Sequence, residues 1–318
     1  MCYVLFLLGL VIIIKSSDYF VDSAIWVAKA TGIPDLIIGA TLVSVCTTLP
    51  EAVVSATSSI GGLSAMAFGN AFGSIAFNTT FILGLTFLVS RPLITGRKSF
   101  VTNALFLLAL CGGVLAVYLI TGGLSRAVGA ALLVLLACYL LFNVVSAKKG
   151  GGASEKGAAV DKSGREVLKN LLLLALGAAG VVIGSQLLVT NGEAIAKSLG
   201  VSELIIGLTI TALGTSLPEL VTAIAAMTKG AHSMSVGNIL GADILNVVLV
   251  TGLSAVIRPI RLPDLSSAVF SIGAAMLIAM VVLSFAVFNK KHFTRSNGAA
   301  LLALYIAYIT VNMLYFAR

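Results

Sequence analysis

The chain has 318 residues, of which 59% are hydrophobic and only 10% are charged, with a mean hydropathy of +1.10. Soluble domains carry about 25% charged residues, so a chain this apolar needs lipid as its main solvent. The formal net charge is +8, but the basic residues lie in short gaps between apolar runs, where they indicate membrane topology. Composition therefore excludes a soluble nucleic-acid-binding protein and makes the lipid bilayer the expected partner.

Ten apolar segments are long enough to cross a membrane, for which about 20 residues are needed. They lie near residues 2–28, 33–59, 62–89, 100–120, 124–146, 166–198, 203–228, 231–257, 266–288 and 298–317. The first segment lacks the basic start and small-residue cleavage site of a signal peptide, so we expect it to be a membrane helix. The sequence thus predicts an all-α membrane protein with ten transmembrane helices.

A polar stretch rich in Lys, Gly and Ser, residues 147–165, separates the first five segments from the last five. We expect residues 1–146 and 166–318 to form two five-helix units joined by this linker. With the N-terminus outside, fourteen Lys and Arg residues fall on the inner side and five on the outer side. Cytoplasmic loops carry such an excess, so the pattern predicts a plasma-membrane protein with a cytoplasmic linker and both termini outside.

The two units contain the same motif, offset by 168 residues. Residues 36–51 match residues 204–219, and the register continues downstream through Gly69-Asn70 with Gly237-Asn238 and Asn78 with Asn246. Because five spans are an odd number, the second copy enters the membrane from the opposite side. Inverted-topology repeats are typical of secondary transporters, which bind their substrate at the midplane where the repeats meet.

Each copy places a Pro-Glu pair inside an apolar helix, ending in Glu51 in the first copy and Glu219 in the second. The proline removes a backbone donor, so carbonyl groups near Thr47 and Thr215 must find other partners. A charge at mid-bilayer costs roughly 2.5–3.5 kcal/mol, and no Lys or Arg lies within a turn of either glutamate. We expect both carboxylates to converge on a cation; the alternative is that both stay protonated and only form hydrogen bonds.

The helix after each motif adds further oxygen atoms. Ser74 and Asn78 share one face, whereas the matching positions of the second copy are Ala242 and Asn246, with Asp243 added. Calcium takes about six to eight oxygen ligands in flexible geometry, and two glutamates neutralise one divalent ion. Without that ion, two close carboxylates repel each other and take up protons or monovalent cations, which is a physical basis for exchange.

At these residues the chain resembles the prokaryotic type of the sodium/calcium exchanger family, within the cation/calcium antiporter superfamily. The resemblance covers essentially the whole chain, and its most specific element is Gly-Thr-Ser-Leu-Pro-Glu at 214–219, with the variant Thr-Thr-Leu-Pro-Glu at 47–51. It implies Ca²⁺ binding by Glu51 and Glu219 with the backbone carbonyls of Thr47 and Thr215. It implies Na⁺ sites that use the same glutamates with Ser44, Thr48, Ser74, Ala212 and Ser216, and a polar centre at Asn78 and Asn246, next to Asp243. It also implies sliding of the first and sixth helices across the core.

The chain departs from the family pattern at several of these positions. Ala242 stands where relatives usually carry Ser, Asp243 where they often carry Asn, Cys46 where they carry Gly, and Thr48 where they carry Ser. Asp243 is either a third carboxylate of the site or a support behind the helix break. The missing hydroxyl at Ala242 leaves both Na⁺ and H⁺ open as counter-ions, since protons need only the carboxylates.

We therefore expect a secondary active antiporter that exchanges Ca²⁺ for Na⁺ by alternating access. No cofactor is expected, because the inorganic cations Ca²⁺ and Na⁺ or H⁺ are the transported substrates. The alternatives are an H⁺-driven Ca²⁺ or cation antiporter, a passive channel, which needs a continuous pore, and an intramembrane enzyme. An enzyme is not expected, because no His or Cys cluster supports the glutamates as catalytic groups.

Three charged residues, Lys15, Asp18 and Asp22, lie near the inner half of the first segment. Spacings of three and four residues put Lys15 on the face of Asp18, and Asp18 on that of Asp22. The spacing predicts a local ion pair at the membrane interface; the alternative is a role in steering cations to the inner mouth.

Overall fold

The computed structural model describes residues 1–90, 97–149, 161–199, 212–262, 265–289, 292–312 and 314, and the regular secondary structure in these ranges is helical. Numbered in chain order, the helices are α1 (Cys2–Thr31), α2 (Asp35–Thr47), α3 (Leu49–Ile60), α4 (Ser64–Ser90), α5 (Arg97–Thr121), α6 (Arg126–Lys149), α7 (Gly164–Ser198), α8 (Ala212–Thr215), α9 (Leu217–Thr228), α10 (His232–Ile257), α11 (Leu265–Phe288) and α12 (Arg295–Val311).

Seven of these helices are long and apolar enough to cross a membrane, and the bent pair α2–α3 makes an eighth candidate. The seven are α1, α4, α5, α6, α7, α10 and α11. Of the remaining expected segments, the one near 203–228 begins outside the described residues, and α12 has 17 residues. The described helices expose many large apolar side chains, such as Leu7, Leu141 and Leu172, which is the surface of an all-α protein solvated by lipid.

Helices α4 and α10 form the centre of the bundle. In their most apolar windows 72% and 83% of the residues are buried, whereas the corresponding shares in the other five long helices lie between 22% and 33%. Because α4 and α10 are enclosed by the other helices, their polar side chains face protein instead of lipid. These two helices therefore hold the part of the structure in which a polar site can exist.

Both helix breaks that the prolines predict are present. Helices α2 and α3 meet at Thr48 with a bend of 42°, and Pro50 lies in the first turn of α3. In the second half α8 ends at Thr215, and Pro218 lies in the first turn of α9. A first-turn proline loses no hydrogen bond, because the N–H group at that position has no partner within the helix. The prolines thus start new helices at the points where the first ones end.

Two π-helical turns interrupt the central helices, over Phe77–Ile82 in α4 and over Asn246–Thr251 in α10. Such turns widen the helix by one residue and displace a carbonyl group from its usual donor. The Thr251 hydroxyl donates to the carbonyl oxygen of Asn246 at 3.0 Å and so replaces one such donor. The sequence alone gave no sign of these turns.

The charged residues of the first helix are paired differently from the prediction. Lys229, which follows α9, places its Nζ 2.8 Å from Asp22 Oδ1 and 3.8 Å from Asp18 Oδ1. The predicted local pair with Lys15 is wrong because α9 packs against α1 and brings Lys229 over the acidic residues, while Lys15 is exposed. These pairs are partly exposed and are expected to contribute no more than about 1 kcal/mol to stability.

We predict that Gly237→Ala destabilises the protein. Gly237 lies where α10 meets α2, and a side chain there would overlap the carbonyl oxygen of Leu36, so one of the two backbones must move. Overpacking of this kind costs about 1–3 kcal/mol, which thermal unfolding in detergent would detect as a lower Tm. The control is Gly113→Ala, at an exposed position of α5 where no described atom lies within 4 Å of the added carbon. Equal Tm values for the two variants would contradict the proposed close contact.

Candidate cation site

Two fully buried glutamates, Glu51 and Glu219, lie at the two helix breaks. Each occupies the first turn of its helix, α3 or α9, where free backbone N–H groups and the helix dipole stabilise negative charge. The two carboxylates are close enough to interact electrostatically. In the described structure the Oε2 atom of each has no hydrogen-bond partner. The fold thus brings together the two acids that are 168 residues apart in the sequence.

Each glutamate is held by a hydroxyl group from the other half of the chain. Thr48 Oγ1 donates to Glu219 Oε1 at 3.4 Å, and Ser216 Oγ donates to Glu51 Oε1 at 3.3 Å. The donors are the residues that separate the two helices at each break. Neither carboxylate is therefore positioned by its own half alone.

A second pair of hydrogen bonds crosses between the halves in the same way. Thr47 Oγ1 donates to Asn238 Oδ1, and Thr215 Oγ1 donates to Asn70 Oδ1, both at 3.2 Å. Asn70 also donates from Nδ2 to Ser55 Oγ at 3.0 Å. These asparagines were not among the expected site residues. The signal for them was the Gly-Asn dipeptide that both copies of the repeat contain.

The two halves differ at one hydroxyl group. Ser216 Oγ also lies at hydrogen-bond distance, 3.2 Å, from Ser74 Oγ, whereas the position that matches Ser74 is Ala242, which has no hydroxyl. Of the other residues expected to bind Na⁺, Ser44 is buried and donates to the Thr41 carbonyl oxygen at 3.2 Å, and Ala212 is the first described residue of α8. The structure therefore places Ser74 and Ser216 together next to Glu51.

The expected polar centre lies in the π-helical turns. Asn78 and Asn246 are fully buried, and their amide atoms have no hydrogen-bond partner among the described residues. Asp243 is also fully buried and accepts a hydrogen bond from the Thr79 hydroxyl. No group of three His, Cys, Asp or Glu residues in the described ranges could hold one metal ion together. Asp243 is close enough to Glu219 to interact with it electrostatically.

The negative charge of this region is not balanced by basic side chains. In the described part of the chain, no Lys or Arg forms an ion pair with Glu51, Glu219 or Asp243. A buried, uncompensated carboxylate costs several kcal/mol, so these acids must be neutralised by protons or by bound cations. The available ligands are carboxylate, hydroxyl and amide oxygens, which suit hard cations. Acidic, oxygen-rich sites enclosed by membrane helices are typical of membrane transporters of inorganic cations.

Residues 1–145 and 169–314 match the family described as sodium/calcium exchanger protein, and the chain belongs to this family. The inner membrane protein YrbG of Escherichia coli is 40% identical over 265 residues, which cover 80% of this chain and 79% of that protein. The sodium/calcium exchanger MaX1 of Methanosarcina acetivorans is 28% identical, with 97% of both chains covered. A solved structure of the sodium-calcium exchanger NCX_Mj superimposes with a TM-score of 0.84 at 28% identity, covering 97% of each chain.

These comparisons confirm the family resemblance that the repeated motif carries. The chain is an integral, multi-pass membrane protein and a cation/Ca²⁺ antiporter by family, and its partners are lipid and inorganic cations. The family consists of transporters, in agreement with the expectation that the protein is not an enzyme.

We predict that replacing both buried glutamates by Gln stabilises the cation-free protein and abolishes its response to Ca²⁺. The double variant removes two repelling charges, so its Tm without Ca²⁺ should exceed that of the wild type. The wild type should gain about 2.7 kcal/mol at a Ca²⁺ concentration of roughly 100 times Kd. Glu166→Gln, which alters contacts near the surface with Lys169 and Asn170, is the control and should retain this gain. A Ca²⁺-dependent rise in Tm that persists in the double variant would place the site elsewhere.

Proposed function

We propose that this protein exchanges Ca²⁺ for Na⁺ by alternating access at a site near the bilayer midplane, formed around Glu51 and Glu219. The observation that carries the proposal is the reciprocal arrangement of the two acids, in which each accepts a hydrogen bond from the other half. A site shared in this way lies where the two repeats meet. Sliding of the first and sixth helices across this core would open the site to each side of the membrane in turn, as alternating access requires.

Ca²⁺ would bind between the two carboxylates, whose combined charge it neutralises. The carbonyl groups of Thr47 and Thr215 at the helix breaks would supply further oxygens. Na⁺ would use the same glutamates together with Ser44, Thr48, Ser74, Ala212 and Ser216. Because both ions need the same carboxylates, they compete, and binding of one favours release of the other. This competition couples the two fluxes.

The pattern of hydrogen bonds also supports an inverted repeat. The bond from Thr47 to Asn238 becomes the bond from Thr215 to Asn70 when each residue is exchanged for its counterpart 168 positions away. Such an exchange is what a two-fold axis between the repeats produces, and an odd number of spans in each unit would place that axis in the membrane plane. We therefore propose ten membrane helices in two inverted five-helix units, 1–146 and 166–318, joined by the linker 147–165.

One observation favours a second candidate, an H⁺-driven Ca²⁺ antiporter. The hydrogen bond between Ser216 and Ser74 has no counterpart in the other half. The matching positions are Thr48 and Ala242, and Ala242 has no hydroxyl group. The second half therefore has one oxygen fewer for Na⁺, whereas protons need only the carboxylates. The two candidates differ in whether an Na⁺ gradient or an H⁺ gradient drives Ca²⁺ transport.

We predict that radiolabelled Ca²⁺ accumulates in proteoliposomes under an outward Na⁺ gradient, and that Glu219→Gln lowers this uptake at least about tenfold. The variant removes one of two ligand charges, and losing one partner of a buried charged interaction costs more than about 1.4 kcal/mol. Parallel samples have an outward H⁺ gradient or no gradient, and Glu166→Gln is the control. Uptake driven only by the H⁺ gradient would show that the counter-ion is H⁺ and not Na⁺. No uptake under any gradient would refute Ca²⁺ transport.

We predict that the linker is cytoplasmic and that the loop between α5 and α6 faces outside. In a variant without the four native cysteines, Ser125→Cys should react with an impermeant maleimide in intact cells, whereas Ser154→Cys should not. Inside-out vesicles should give the opposite result. Labelling of Ser154→Cys in intact cells would show that the orientation is the opposite of the proposed one. Equal labelling of both positions from one side of the membrane would contradict five spans per unit.

A further inference from the structure

Asp243 lies in a polar pocket between α10 and α4 that the proposed Ca²⁺ site does not use. Its Oδ2 atom accepts a hydrogen bond from the Thr79 hydroxyl, and Asn78 lies alongside it. The other titratable groups near Asp243 are the Cys111 thiol of α5 and the Glu219 carboxylate of α9. All five side chains are at most 1% exposed, so bulk water does not solvate this carboxylate.

Several polar atoms in this pocket lack partners. Asp243 Oδ1 and both amide atoms of Asn78 form no hydrogen bond of regular geometry in the described structure, although the Asn78 amide lies close enough to interact with the Asp243 carboxylate. The same holds for the amide group of Asn246, which lies three residues from Asp243 and on the same side of α10. Buried polar atoms are normally paired, so a cluster of unpaired oxygens points to a ligand from outside the chain.

The charge of the region points to a cation as that ligand. If one Ca²⁺ neutralises Glu51 and Glu219, the charge of Asp243 remains. In the described ranges no basic side chain pairs with it. One further positive charge is therefore needed while Ca²⁺ is bound.

The pocket also has no counterpart in the first half of the chain. The positions that match Asp243 and Thr79 under the offset of 168 are Ile75 and Val247, which are both apolar and fully buried. The pocket is therefore a single addition on one side of the repeat and not a duplicate of the shared glutamate site.

We propose that Asp243, Thr79 and Asn78 form a second cation site, which binds one Na⁺ while Ca²⁺ occupies the glutamate pair. A proton on Asp243 could donate to only one acceptor, so at least one of the amide oxygens of Asn78 and Asn246 would stay without a donor, whereas Na⁺ contacts several oxygens at once. The π-helical turn that contains Asn78 and Thr79 displaces a backbone carbonyl, which offers a further ligand. This inference rests on the proposed binding of Ca²⁺ at Glu51 and Glu219.

The test is equilibrium binding of radiolabelled Na⁺ to the purified full-length protein at saturating Ca²⁺, with radiolabelled Ca²⁺ measured in parallel. The wild type should retain one Na⁺ per chain that Ca²⁺ does not displace, and Asp243→Asn should lose it. Thr79→Val keeps the shape of the side chain and should weaken Na⁺ binding about tenfold or more, because it removes one oxygen beside the carboxylate. The matched control is Thr86→Val, another buried position of α4, whose hydroxyl bonds only its own helix at Ile82.

The outcomes separate this inference from the proposed function. A wild type that binds no Ca²⁺ refutes the function, whereas one that binds Ca²⁺ and retains no Na⁺ refutes only the second site. Retention of Na⁺ by a Thr79→Val or Asp243→Asn protein that still binds Ca²⁺ also refutes the site. Infrared spectra test directly whether Asp243 is protonated. A carboxylic-acid C=O band that persists in the presence of Na⁺ and is lost in Asp243→Asn would show that the site holds a proton and not Na⁺.

Discussion

The structure depends on the burial of two carboxylates, Glu51 and Glu219, among membrane helices. Each buried carboxylate costs several kcal/mol after relaxation. A hydrogen bond to a charged group returns about 1.5–3 kcal/mol, and a helix N-terminus in favourable geometry up to about 2 kcal/mol. Each glutamate lies at a helix start and accepts a hydrogen bond from a hydroxyl group of the other half, while their mutual repulsion adds to the cost. These terms offset the penalty in part, and a proton or a bound cation would remove the remaining repulsion.

This constraint explains the architecture around the site. Both helices must break where the glutamates lie, so that a new first turn faces each carboxylate, and the prolines place those breaks. The donors Thr48 and Ser216 must reach across the bundle, which requires close packing of α2 against the central helix α10. Gly237 permits that packing because any side chain there would meet the backbone of α2. The polar centre of α4 and α10 is enclosed for the same reason, since lipid could not solvate it.

The sequence predicted the parts of the structure that depend on local chemistry and repetition. The helix breaks follow from proline at the same place in each copy, and the glutamates follow from an isolated charge in an apolar helix. It did not predict the hydrogen bonds to Asn70 and Asn238, because those depend on how far each helix is rotated toward the other half. The π-helical turns were also missed, since no residue type specifies them locally. The ion pairs of Asp18 and Asp22 with Lys229 were mispredicted because the spacing of residues within α1 does not indicate which side chains of other helices pack against it.

The positions at which the two copies of the repeat differ bear on the identity of the coupled ion. A repeat that was symmetric in sequence would offer the same ligands from both halves, and the hydroxyl pair Ser216–Ser74 would have an equivalent. Instead the second half loses a hydroxyl at Ala242 and gains a carboxylate at Asp243, in the next position along the same helix. The two changes differ in kind, because a hydroxyl supplies a neutral ligand and a carboxylate supplies a full negative charge. A counter-ion in this protein therefore encounters fewer neutral oxygens and more charge than a symmetric site would offer, so any coupling to Na⁺ must draw more heavily on carboxylates.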